Sequence, residues 1–190
     1  MDIKNSTVNF KANKILTTSK ILANNTERKI DVFQLKFGTD DYFIKSCSDI
    51  IKNNKRLVNK KHQNLNLFFK DFLNKKTREG DYFIAIRDGE QIVGAAKTCQ
   101  HYFSPITIIE NFINLNNDNK TTYALNKSII NKAKKHRSRI IGWEDNKIGY
   151  IMNDDSQIAK LLPPKKQKIK FSAPQKPEEV NLLDFLDIDI

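Results

Sequence analysis

The chain has 190 residues, 33 Lys+Arg against 22 Asp+Glu, and a formal net charge of +11. That length suits one domain with extensions, and no apolar run approaches the roughly 18–20 residues of a membrane-spanning helix. Two cysteines, Cys47 and Cys99, exclude a disulfide framework and every CxxC metal pattern, so no metal site is expected. The opening MDIKNSTVNFKANK has no apolar stretch of the secretory kind, so the expected location is intracellular.

Residues 1–28 are polar with scattered apolar positions and read as an N-terminal extension holding at most one short hairpin. Lys29–Phe37 alternates apolar and polar residues and predicts a strand. Thr39-Asp40-Asp41 offers an N-cap to a helix patterned by Phe43, Ile44, Cys47, Ile50 and Ile51. A second helix is predicted over Asn64–Asn74, with Leu65, Phe68, Phe69, Phe72 and Leu73 forming one broad face. DYFIAIR (81–87) and QIVGAAKTCQ (91–100) read as two strands joined at Asp88-Gly89, where glycine accepts the positive φ of a tight hairpin turn. A strand over 106–115, a helix over 121–136 and a short strand at 139–143 follow. The region 147–162 reads as a weak helix, closing a domain of residues 29–162.

Composition then changes. Residues 163–177 are rich in proline and lysine and read as a disordered linker. Residues 178–190 return to apolar character among acids. From Phe171 to Ile190, Lys176 faces five acids, so this end is −4 and the remainder carries +15. A basic body with an acidic, apolar tail points to a polyanion such as nucleic acid for the body and a protein for the tail. The cations cluster at Lys52, Lys55, Arg56, Lys60 and Lys61, at Lys134, Lys135, Arg137 and Arg139, and at Lys165–Lys170. Such clusters neutralise phosphates without reading bases, so binding should be non-specific and salt-dependent. PPKKQKIK has the form of a nuclear-import signal, which would place the protein in a nucleus if the host has one.

Three stretches, FIAIRDGEQIVGAA, IIENFINL and YALNKSIINKAKK followed by RIIGW, resemble the GCN5-related N-acetyltransferase family over residues 30–155. The resemblance implies an α/β (α+β) fold, a mixed central sheet flanked by helices. It also implies a strand lining an acyl-CoA slot, and a helix whose N-terminus receives the cofactor pyrophosphate. In that family an Arg or Gln and two small residues precede this helix. Here the turn is Asn117-Asp118-Asn119-Lys120-Thr121-Thr122, with no glycine, and it is about two residues short. Lys120, Thr121 and Thr122 are the candidate cofactor ligands, while Asp118 would repel a phosphate. By the same resemblance Glu110 is the candidate general base and Tyr150 the candidate acid for the leaving thiolate. The altered turn implies a body without cofactor; the alternative is an active acetyl-CoA-dependent N-acyltransferase.

In the tail, Leu182, Leu183, Phe185, Leu186 and Ile188 alternate with acids and suit a groove with a basic rim. LLDFL resembles the sliding-clamp-binding tails of T-even phage replication and late-transcription proteins. That implies a clamp or polymerase component as partner and a viral replication or transcription role. An acidic apolar tail is also similar to that of single-stranded-DNA-binding proteins, the third reading of the chain.

Overall fold

The computed structural model describes residues 12–21, 27–54, 59–76, 79–101, 105–143, 148–151 and 179–181. Its elements are β1 (Asn13–Ile21), β2 (Glu27–Gln34), α1 (Asp41–Asn53), α2 (Lys60–Leu73), β3 (Asp81–Arg87), β4 (Gln91–Gln100), β5 (Ile106–Asn114), α3 (Asn119–Lys135), β6 (Ile140–Trp143), β7 (Ile148–Ile151) and β8 (Glu179–Asn181). The strands hydrogen-bond in sequence order. β1–β2, β2–β3, β6–β7 and β7–β8 are antiparallel, whereas β5–β6 is parallel, with α3 as the crossover that such a pair requires. The fold is thus α+β around a mixed sheet. From β2 to β6 the element order is the one the acetyltransferase resemblance implies.

The chain forms two compact units, Met1–Lys97 with Asn111–Leu125 and Thr98–Glu110 with Asn126–Ile190. In the first, α1 and α2 bury Phe43, Ile44, Cys47, Leu65, Phe68, Phe69 and Phe72 in one core with Tyr82, Ile84 and Ile92. Phe37 stacks on Phe72 at 5.0 Å between ring centroids, and Tyr82 meets Phe72 edge-on at 5.3 Å. Gly94 sits where a side chain has no room: a Cβ there would lie 2.7 Å from the Ile113 carbonyl oxygen and 2.8 Å from Thr121 Cγ2. The β3–β4 turn uses Asp88 (φ 51°) and Gly89 (φ 73°), both left-handed as a type I′ hairpin demands. In the second unit, β5 and β6 pair from Ile106↔Ile140 to Ile109↔Trp143, and β7 continues from β6 with Gly142 opposite Gly149.

Four expectations change. β1 pairs with β2 through eight residue pairs, from Asn13↔Gln34 to Ile21↔Glu27, so the sheet begins well before residue 29. α2 starts at Lys60 rather than Asn64, because the Asn59 side chain accepts from the His62 N–H and caps it four residues earlier. Asp40 precedes α1 but makes no side-chain cap; its carboxylate turns back to accept from the Lys36 N–H. The weak helix expected over 147–162 is corrected at its start, where Ile148–Ile151 is strand β7. Residues 152–178, with the linker, and 182–190 lie outside the described residues. No helix among the described residues is long and apolar enough to cross a membrane.

Candidate functional site

The turn into α3 is a densely bonded polar site. Asn114 ends β5 and donates from Nδ2 to the Asp118 carbonyl at 2.7 Å and to Thr122 Oγ1 at 2.9 Å. Asn117 turns the chain with φ 53°, a conformation that Asn tolerates better than most residues. Asp118 then caps the helix. Its Oδ1 accepts the Thr121 N–H at 2.7 Å, its Oδ2 accepts the Thr121 hydroxyl at 2.7 Å, and Arg87 Nη2 donates to Oδ2 at 2.8 Å. A carboxylate on the third N–H of a helix uses the group that an anion would seek, and it offsets the partial positive charge there.

Two of the three expected cofactor ligands are therefore engaged inside this turn. Thr121 is fully buried with both its N–H and its hydroxyl on Asp118, and Thr122 bonds Asn114 and the Asp118 carbonyl. Lys120 alone is exposed. A pyrophosphate brought to this helix start would meet a carboxylate 2.7 Å from the Thr121 N–H, with no glycine to let the backbone wrap it. The residues present do not fit the pyrophosphate of CoA.

Glu110 is half-buried on β5 and is the first residue after the last β5–β6 pair, Ile109↔Trp143. Tyr150 lies in β7 opposite Ile141 of β6 and Glu179 of β8, so β6 runs between it and β5. Its side chain lies outside the described residues.

The basic residues differ in their surroundings. Lys52 pairs with Asp49 at 3.3 Å, and Lys61 donates to the Leu115 carbonyl at 2.8 Å, tying α2 to the end of β5. Lys60 is exposed, and Lys55 and Arg56 lie outside the described residues. The second cluster stays together: Lys134, Lys135, Arg137 and Arg139 are all exposed at and just beyond the end of α3. Of the tail, Glu179–Asn181 forms β8 on β7, with Val180 opposite Gly149. Leu182, Leu183, Phe185, Leu186 and Ile188 lie outside the described residues.

Sequence reasoning missed Arg87 as the partner of Asp118, since 31 residues separate them. It also missed a part-buried polar trio around the buried Tyr82. The Tyr82 hydroxyl donates to Asp71 Oδ2 at 2.7 Å, and Lys97 Nζ reaches the same oxygen at 3.0 Å. Burial, then the bond to Asp71, raises the Tyr82 pKa far above its ordinary value.

No family model matches this chain, and no curated protein does. Among solved structures it is similar to a probable acetyltransferase from Staphylococcus epidermidis ATCC 12228, at 18% identity over 59% of this chain and 70% of that one, with a TM-score of 0.40. It is also similar to an acetyltransferase of the GNAT family from Staphylococcus aureus MU50, at 15% identity over 80% of this chain and 99% of that one, with a TM-score of 0.37. Overlaps of that size carry no functional argument, and the architecture stands on the element order and pairing given above.

Proposed function

We propose that this chain is an accessory protein of nucleic-acid metabolism, built on an acetyltransferase-like body that does not take acetyl-CoA at the start of α3. The carrying observation is the Asp118 carboxylate seated on the Thr121 N–H and held by Arg87, where that architecture would receive a pyrophosphate. The body's charge of +15 and the exposed cations after α3 support a polyanion partner. In this reading Leu182, Leu183, Phe185, Leu186 and Ile188 recruit a protein of the replication or transcription machinery. Two measurements test it. Calorimetry with acetyl-CoA should give no heat of binding at concentrations well above those that saturate acetyltransferases. Oligonucleotide binding should weaken steeply with salt. Micromolar acetyl-CoA binding, or no oligonucleotide binding at low salt, would overturn it.

The end of β5–β6 pairing favours a second reading, acyl transfer to an amine. Glu110 stands where β5 leaves its parallel partner, the place at which a strand of this fold can accept an extended ligand by backbone pairing. There Glu110 would take the proton of an incoming ammonium, and the freed amine would attack the acyl carbon of a thioester donor and displace its thiolate. Turnover lost in Glu110→Gln with folding intact would establish that reading.

A further inference from the structure

We propose that the loop closing α3, Lys134–Arg139, is a rigid clamp for a phosphodiester backbone, with Arg137 and Arg139 as its two forks; this rests on the nucleic-acid reading above. From Asn126 to Trp143 the chain carries six Lys or Arg and no Asp or Glu. The last-turn lysines of α3 also answer the negative end of the helix dipole, so they alone decide nothing. The two arginines lie beyond the helix. Both are exposed, flank the buried Ser138, and have no side-chain hydrogen bond or ion pair among the described residues.

The backbone that carries them is pinned at every residue. The Arg137 N–H donates to the Lys134 carbonyl at 2.9 Å, and the Ser138 N–H reaches back to Ala133 at 3.0 Å. Gln100 Nε2 donates to the His136 carbonyl at 3.0 Å, and the Ser138 hydroxyl bonds Thr107 Oγ1 at 2.8 Å. The Arg139 and Ile140 N–H groups share the Pro105 carbonyl, at 2.6 and 3.1 Å. Arg137 itself has φ 59°, in the left-handed well that helix ends normally fill with glycine or asparagine. An arginine there gives up some backbone preference, and it stands exposed on a loop whose backbone bonds fix its place. Two guanidinium forks on a fixed loop lose little entropy on meeting planar phosphate oxygens, and they match them in geometry as lysine does not.

The test uses the full chain, fluorescence anisotropy with labelled single-stranded and duplex oligonucleotides across a salt series, and thermal melting. Arg137→Gly should weaken binding several-fold and make the log–log salt slope shallower by about one, for either strand form. Its melting temperature should stay level or rise, because glycine relieves the left-handed strain. Arg139→Ala should shallow the slope likewise, and Arg137→Lys should keep the slope while losing affinity, through loss of the fork. Wild-type affinity and slope in Arg137→Gly and Arg139→Ala would overturn the clamp while leaving nucleic-acid binding standing elsewhere. No oligonucleotide binding by the wild-type chain would overturn both. Competition by polyglutamate as effective as that by DNA would assign the loop to an acidic protein and also overturn it.

Discussion

Replacing Asp118 with alanine removes three bonds at once, and their sum is measurable. The cap on the Thr121 N–H contributes about 1 kcal/mol, within the usual range of roughly 0.5–2. The Thr121 hydroxyl, fully buried, loses its acceptor, which costs about 1–2 kcal/mol when a buried group is left unmet. The Arg87 pair is partly exposed, at 20% and 29% of the two side chains, so solvent screening limits it to about 0–1 kcal/mol. Asp118→Ala should therefore destabilise the fold by about 2–4 kcal/mol, lowering the melting temperature by roughly 5–12 °C for a chain of this size. Urea unfolding followed by circular dichroism reads the loss directly. Asp118→Asn, still a good cap but uncharged, should recover about half. Calorimetry on the same variants addresses the obstacle itself: acetyl-CoA binding gained by Asp118→Ala would identify the carboxylate as what excludes the pyrophosphate. A loss below about 0.5 kcal/mol would refute the capping argument. Acetyl-CoA binding by the wild-type chain that weakens in Asp118→Ala would refute the exclusion.

Three further outcomes are expected. Gly94→Ala would force a methyl 2.7 Å from the Ile113 carbonyl oxygen and 3.0 Å from Leu125 Cδ1, so it should cost about 2–3 kcal/mol by overpacking, read by chemical denaturation. Tyr82→Phe should cost about 1–2 kcal/mol by leaving Asp71 one donor short, with Lys97 retained on the same oxygen. Burial pushes the Cys47 thiol up to about 12, so iodoacetamide at pH 9 should label Cys47 only after unfolding. Since the folded chain holds that proton more tightly, the thiol's contribution to stability is complete below about pH 8.5 and falls as pH rises towards 12.

The segment from Asp81 to Gln100 could be read residue by residue, because an Asp-Gly turn fixes both strand ends and the apolar runs leave few alternatives. α1 and α3 were legible from their apolar periodicity, and the true start of α3 at Asn119 follows from the Asp118 cap. β7 was not legible: IGYI is four residues long, too short to show any period, and its strand state comes from pairing with β6. β1 was hidden for a similar reason, since its alternation is weak and bulged between Lys14 and Leu16. At the site, Asp118 stood out as a charge in the wrong place for a phosphate, but its partner did not. Arg87 and Lys61 reach targets 31 and 54 residues away, and a cation's destination leaves no mark on its neighbours. Charge runs announce that cations are present; only tertiary packing decides which remain exposed.

Strand β8 brings a late part of the sequence back to the sheet. Glu179, Val180 and Asn181 pair with Tyr150, Gly149 and Ile148, so they cover the side of β7 that β6 leaves open. An uncovered β7 would offer its N–H and C=O groups to any extended strand, including that of a second copy. The edge that β8 presents instead is three residues long, and so short an edge gives another chain little to pair with.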